Sequence, residues 1–150
     1  MSIDDMKRFQ AVLSSHQYRV THARETTFKL LLNPDPQSMR ELIHKANGEV
    51  DRVSIYRSVE LFEKLGIVHR IYVGWKYKLE LSDEFIAHHH HLACLTCGKV
   101  IDIQDEKHID EFIDMISKQF NFTARRHQFE IDGYCENCSK QRDPGIAKAA

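Results

Sequence analysis

Four cysteines stand in two pairs, Cys94-Leu-Thr-Cys97 and Cys135-Glu-Asn-Cys138. Each pair is a knuckle in which two thiolates converge on one ion, and together they supply the closed tetrahedral S4 shell of structural zinc, Zn2+. The 37 residues between the pairs exceed the spacing of a simple ribbon, but they hold a strand, a helix and a second strand whose ends the metal would clip together. The competing readings are a redox CxxC or two chance pairs. Nothing resembles a signal peptide or a membrane span, so the expected compartment is the cytoplasm, where thiols stay reduced and paired cysteines favour ligation over disulfides. A zinc enzyme needs an open coordination position beside a general base, and the deaminase pattern HxE with PCxxC is missing, so no enzyme is expected.

The run His88-His89-His90-His91 ends three residues before Cys94. In an extended chain its members alternate, so His88 and His90 point one way and His89 and His91 the other. One strand then serves two metal sites, with Glu80, Asp102, Asp110 and His127 available as partners in the same half. A solvated polyhistidine loop is the plain alternative, but four histidines inside the chain, away from any tag position, favour sites.

The elements that would position these groups follow from apolar spacing. Ile3, Met6, Phe9, Val12 and Leu13 predict a helix from Ile3 to Ser15. Thr21 caps a second helix, which stops at Asn33-Pro34-Asp35-Pro36. Ser38 with Glu41 forms a capping box for a third, with Met39, Leu42, Ile43 and Ala46 on one face, ended by Asn47-Gly48. A fourth starts near Asp51 or Ser54, buries Ile55, Val59 and Phe62, and closes at Gly66. A hairpin turning near Gly74 follows, with Tyr77, Leu79 and Leu81 alternating with Lys76, Lys78 and Glu80. This is a winged helix-turn-helix whose fourth helix would enter the DNA major groove, exposing Tyr56 and Arg57 to base edges and phosphates. Arg19, Arg24, Lys64 and Arg70 are candidate phosphate contacts. Residues 1–81 carry 13 Lys and Arg against 10 Asp and Glu, a net of +3, whereas the remainder carries 8 against 12, a net of −4. A basic front half suits nucleic acid, and an acidic, histidine-rich rear half suits cations.

After a hinge at 82–87, the second half (88–138) reads as a strand near Val100–Ile103, a helix with Ile109, Phe112, Ile113, Ile116 and Phe120 on one face, and a strand through His127, Phe129 and Ile131. A polar tail spans 139–150. The fold class is α+β, with a winged helix at 1–81 followed by a small zinc-clipped α/β domain.

The motifs YRVTHAR, VSIYRSVELFEKLGIVHRI, HHHHLACLTCGKVIDI and FEIDGYCENC, in this order, resemble the ferric uptake regulator family of bacterial metal-dependent repressors over nearly the whole chain. The resemblance implies a homodimer, with higher oligomers on DNA, in which an α/β dimerisation domain follows the winged helix. It implies binding to AT-rich palindromic operators under a regulatory divalent cation, and control of metal uptake or homeostasis genes. By position, it makes Cys94, Cys97, Cys135 and Cys138 the structural zinc ligands, and Glu80, His89, His91 and Asp102 the regulatory site. His88, His90, Asp110 and His127 become an additional site. Tyr56 and Arg57 match the recognition-helix contacts, and Arg19 the basic residue that enters the minor groove. Two departures stand out: the segment Asn33–Ser38 lacks the histidine that many members supply to the regulatory site, and there is no spare cysteine of the kind zinc sensors add. The N/O shell suits Fe2+, Zn2+ or Mn2+. The expectation is an iron sensor, the alternatives being a zinc uptake regulator, a peroxide-responsive regulator and, from another class, a metal-buffering protein without DNA activity.

Overall fold

The computed structural model describes residues 3–103, 106–125 and 127–141. The chain divides into two compact units. Residues up to Tyr72 together with Lys76–Ala87 form the first, and Val73–Trp75 with residues from His88 onward form the second.

In the first unit α1 (Ile3–Ser15), α2 (His22–Leu31), α3 (Met39–Ala46) and α4 (Arg52–Lys64) precede a hairpin of β1 (Val68–Val73) and β2 (Lys76–Leu81). The helix starts lie where the capping residues put them. The Thr21 hydroxyl accepts from the Arg24 backbone N–H. Ser38 N donates to Glu41 Oε2 at 2.7 Å while Glu41 N donates to Ser38 Oγ at 3.2 Å, closing both halves of the capping box. Asp51 Oδ1 accepts from Ser54 N at 2.9 Å, which starts α4 at Arg52. Asn47, with φ 47°, and Gly48, with φ 82°, turn the chain out of α3 through the left-handed region. Phe9 stacks on Phe28 with ring centroids 4.2 Å apart and meets Phe62 edge-on at 5.3 Å, all three fully buried. Phe85 packs edge-on against Phe28 at 5.1 Å, and Phe85 and Ile86 lie against the helical core. The proline-bearing segment does more than stop α2: Gln37 pairs with Leu79 through N–H···O bonds of 3.0 and 2.7 Å, laying one rung against the hairpin.

In the second unit β3 (His90–Cys94) is the central strand. It runs antiparallel to β4 (Val100–Ile103) and parallel to β5 (Glu130–Gly133), with α5 (Glu106–Gln119) and α6 (Glu136–Gln141) completing the unit. The last strand starts later than its sequence pattern suggests: His127 and Phe129 precede it, although Phe129 O still accepts from His91 N. At the other end, α6 continues through Ser139 to Gln141, into what reads in sequence as tail, and residues beyond it lie outside the described ones. The amphipathic face of α5 is open, with Phe112 and Ile116 exposed, and on the sheet Ile101, Leu92 and Ile131 form a half-open apolar row across the three strands. No helix among the described residues is long and apolar enough to cross a membrane.

Candidate metal centres and nucleic-acid interface

The parallel pairing of β3 with β5 explains how cysteines so far apart in sequence meet. Parallel strands end at the same edge, and Cys94 lies opposite Gly133 in the register, so each knuckle leaves the sheet beside the other. Cys97 follows in the turn after β3, Cys135 stands just before α6, and Cys138 lies buried within it. All four are free thiols with one sulfur each inside a 4.8 Å cluster. Cys97 Sγ and Cys135 Sγ are 3.8 Å apart. The S–S edge of a tetrahedron with ~2.3 Å Zn–S bonds is also ~3.8 Å, so the sulfurs fit zinc. Backbone N–H groups, that of Cys135 first and then that of Cys97, lower the Cys94 thiol to about 6. Hydrogen bonding with Cys135 pushes Cys138 up to about 12. Without a cation the crowded sulfurs must share protons, and a divalent ion removes that conflict by taking all four as thiolates.

The histidine run divides as strand alternation requires. On one side His88 and His90 rings lie 4.8 Å apart, and His88 Nε2 approaches His127 Nε2 at 2.9 Å. His127 Nε2 is in turn 3.5 Å from Asp110 Oδ1. His88, His90, Asp110 and His127 thus each bring a donor atom into one cluster, from the start of β3, from α5 and from the approach to β5. His90 is 1% exposed, and its Nε2 is buried with no hydrogen-bond partner among the described residues. Burial first, then the neighbouring His88 and His127, push its pKa down, which keeps the ring in the neutral form that binds metals. A buried imidazole nitrogen aimed into a cluster of donors fits a cation.

On the other side the His89 and His91 rings are 4.6 Å apart. Asp102 lies opposite His91 in the β3–β4 register, and its Oδ1 is 3.9 Å from His89 Nε2 and 3.8 Å from His91 Nε2. These three therefore gather within the second unit. Glu80 belongs to the first unit. It departs from the solvent-facing pattern suggested by the alternation with Lys76 and Lys78: its side chain is 5% exposed, and its Oε2 lies 3.2 Å from His69 Nε2. The sequence reading did not pair Glu80 with His69, which lies on β1. A signal existed, because counting outward from a two-residue turn at Gly74-Trp75 sets His69 against Glu80.

On α4, Tyr56 is 53% exposed, and Arg57 and Lys64 are exposed. Arg19 is exposed as well. Arg24 lies with its guanidinium 5.6 Å from the Tyr18 ring centroid and donates to the Arg19 carbonyl, so it braces the backbone that presents Arg19. Lys64 Nζ reaches Tyr18 Oη at 3.4 Å. Arg70 does not serve as a free phosphate contact: both arms of its fork engage Glu63, and it lies over Tyr77 at 4.3 Å. That pairing raises its pKa further.

Comparison with known proteins agrees with this geometry. Residues 15–132 match the model of the "Ferric uptake regulator family". The chain is 33% identical over 137 residues to a ferric uptake regulation protein of Vibrio anguillarum, covering 87% of this chain and 90% of that one. It is 28% identical over 139 residues to the ferric uptake regulation protein of Bacillus subtilis, covering 88% and 93%. Among solved structures, the ferric uptake regulator of Vibrio cholerae superposes with a TM-score of 0.70 at 30% identity, covering 84% of this chain and 98% of that one.

Proposed function

This chain belongs to the ferric uptake regulator family, and we propose that it is the cytoplasmic, iron-sensing repressor of metal uptake genes within that group of metal-responsive, DNA-binding transcriptional regulators. The observation that carries the reading is the division of one histidine run into two donor clusters on opposite sides of a strand that also ends in the cysteine site. A buffering protein needs donors, but it has no use for a helix that presents Tyr56 and Arg57 to solvent above a capped, rigid start.

In this reading Cys94, Cys97, Cys135 and Cys138 hold structural Zn2+, and His88, His90, Asp110 and His127 form an additional site. Glu80, His89, His91 and Asp102 hold the regulatory cation, Fe2+ with Zn2+ or Mn2+ as alternatives. The cation supplies positive charge that cross-links carboxylate and imidazole donors from the two halves of the chain. Its binding selects the arrangement in which the paired α4 helices of a dimer meet successive major grooves of an AT-rich palindrome, and linkage requires DNA to tighten cation binding in return. Arg19 reaches the minor groove, while Tyr56, Arg57, Lys64 and Arg24 contact bases and backbone. The family acts as homodimers, and the open apolar face of α5 with the row Ile101, Leu92 and Ile131 is the surface a second copy would cover, with higher oligomers forming on DNA. The test is operator binding across a titration of Fe2+, Mn2+ and Zn2+ by the wild type and by a His89→Ala, His91→Ala double variant. The double variant should lose its metal dependence, and an unchanged response would sink the assignment.

A further inference from the structure

We infer that Tyr18 is a positioning residue for the minor-groove contact: its ring anchors the short bridge between α1 and α2, so that Arg19 is presented from a fixed backbone. The inference rests on the minor-groove role proposed above for Arg19 and deepens it by naming what holds that residue in place.

The bridge is clamped at both ends. Tyr18 N donates to Leu13 O at 2.9 Å and Gln17 N donates to Ser14 O at 3.0 Å, the pair of bonds that closes a helix through a left-handed residue. That residue is Gln17, with φ 62°, at a position where glycine is the usual occupant. A non-glycine residue keeps this conformation only where its surroundings fix it. Tyr18 supplies the packing that does so, half-buried against the core cluster that contains Leu13. At the other end Thr21, extended at φ −124° and ψ 156°, caps α2. Arg19 and Val20 lie between the two caps, and both are exposed.

Arg24, in the first turn of α2, joins the anchor to the residue it presents. Its guanidinium lies 5.6 Å from the Tyr18 ring centroid, and one arm of the fork donates to the Arg19 carbonyl. A guanidinium at this distance is attracted by the aromatic face, so the ring keeps Arg24 within reach of that carbonyl. Lys64 Nζ meets Tyr18 Oη at 3.4 Å, the far end of hydrogen-bonding range, so the ring and not the hydroxyl carries the effect. A cation that enters a narrow A·T groove gives up its side-chain freedom on binding. With the backbone already fixed, the Arg19 side chain is all that remains to be ordered. Leucine at position 18 would keep an apolar contact with the core but would give Arg24 no aromatic face to lie on.

The test uses the full-length protein, loaded with the divalent cation that gives the tightest operator binding, and two synthetic duplexes of one AT-rich palindrome. In the second duplex every adenine is replaced by 2,6-diaminopurine, which keeps the adenine pattern in the major groove and adds an amino group in the minor groove, as guanine does. The readout is the ratio of the two affinities. Neither a lost phosphate contact nor a partly unfolded sample changes that ratio, because each scales both affinities alike. The wild type should prefer the adenine duplex, and Arg19→Ala should abolish the preference. Tyr18→Leu should lower it by roughly 2- to 10-fold, the equivalent of ordering one long side chain. Tyr18→Phe, which keeps the ring, should retain it. A wild-type ratio in Tyr18→Leu, or a ratio lowered as far in Tyr18→Phe as in Tyr18→Leu, would overturn the inference while leaving the role of Arg19 standing. If Arg19→Ala keeps the preference, the minor-groove role of Arg19 itself falls, and the inference with it.

Discussion

Removing the cysteine-bound zinc should unfold the second unit while leaving the first intact. The apolar core cluster, from Phe9 to Leu81, lies wholly in the first unit. In the second unit the buried apolar side chains among the described residues are Val73, Ala93, Cys94 and Cys138, two of which are the metal's own ligands. Burying one valine side chain contributes only ~1.5–3 kcal/mol. A structural zinc contributes on the order of 10–16 kcal/mol near neutral pH, against a net stability of ~5–15 kcal/mol for an ordinary domain. Loss of the ion therefore exceeds any margin this unit has, and the dimer should fall apart with it. The assay is hydrogen exchange with a strong chelator and a thiol reductant, read element by element, beside light scattering for oligomeric state. Amides of α1–α4 should keep their protection, while those of β3, β4 and β5 should exchange at the rate of an unfolded chain. Cys138→Ser should reproduce the effect without chelator, and the His89→Ala, His91→Ala variant, which keeps the zinc ligands, should not. Undiminished protection of β3 and β5 in a zinc-stripped monomer would refute the reasoning, because it would mean that the sheet holds together without its clip.

Arg57→Ala should weaken operator binding by ~1–3 kcal/mol if Arg57 reaches a base edge, or lower the log–log salt slope by ~1 if it meets phosphate, both read from titrations at several salt concentrations. Met115→Glu on the exposed face of α5 should shift the protein from dimer to monomer in light scattering while leaving its zinc content unchanged. Ser38→Ala removes the cap of α3 and should cost ~1 kcal/mol in urea unfolding near neutral pH. The Glu41 carboxyl is held below its ordinary value of 4.5, chiefly by the Ser38 hydroxyl and then by the Ser38 backbone N–H. The sign follows: this contribution is fully present above the ordinary value and is lost as pH falls through the depressed native one, so the variant and the wild type should converge in acid.

The local elements of the first unit were legible because each carries its own boundary chemistry. Thr21, the Ser38–Glu41 box, Asp51, Asn47-Gly48 and Gly66 mark ends that no tertiary contact needs to correct, and the spacing of Phe28, Leu42, Ile55 and Phe62 declares the buried faces. The same was true of the zinc cysteines, since two thiolates two residues apart are a ligand pair in almost any fold. The assignment of His88 and His90 to one side and His89 and His91 to the other followed from strand alternation alone. The partners of those histidines did not follow from local rules. Asp102 meets His91 through the β3–β4 register, and Asp110 and His127 meet His88 from a helix and a loop. Arg70 looked like a free cation until Glu63, on a neighbouring element, engaged it. Glu80 alternates with lysines in sequence yet is buried beside His69, because a hairpin pairs residues by distance from its turn and not by type. The cysteine pairs that promised a metal centre thus needed only their spacing to be recognised. That they close on one ion depended on a parallel strand pairing, a long-range choice made by the whole sheet, which no stretch of sequence between the knuckles encodes by itself.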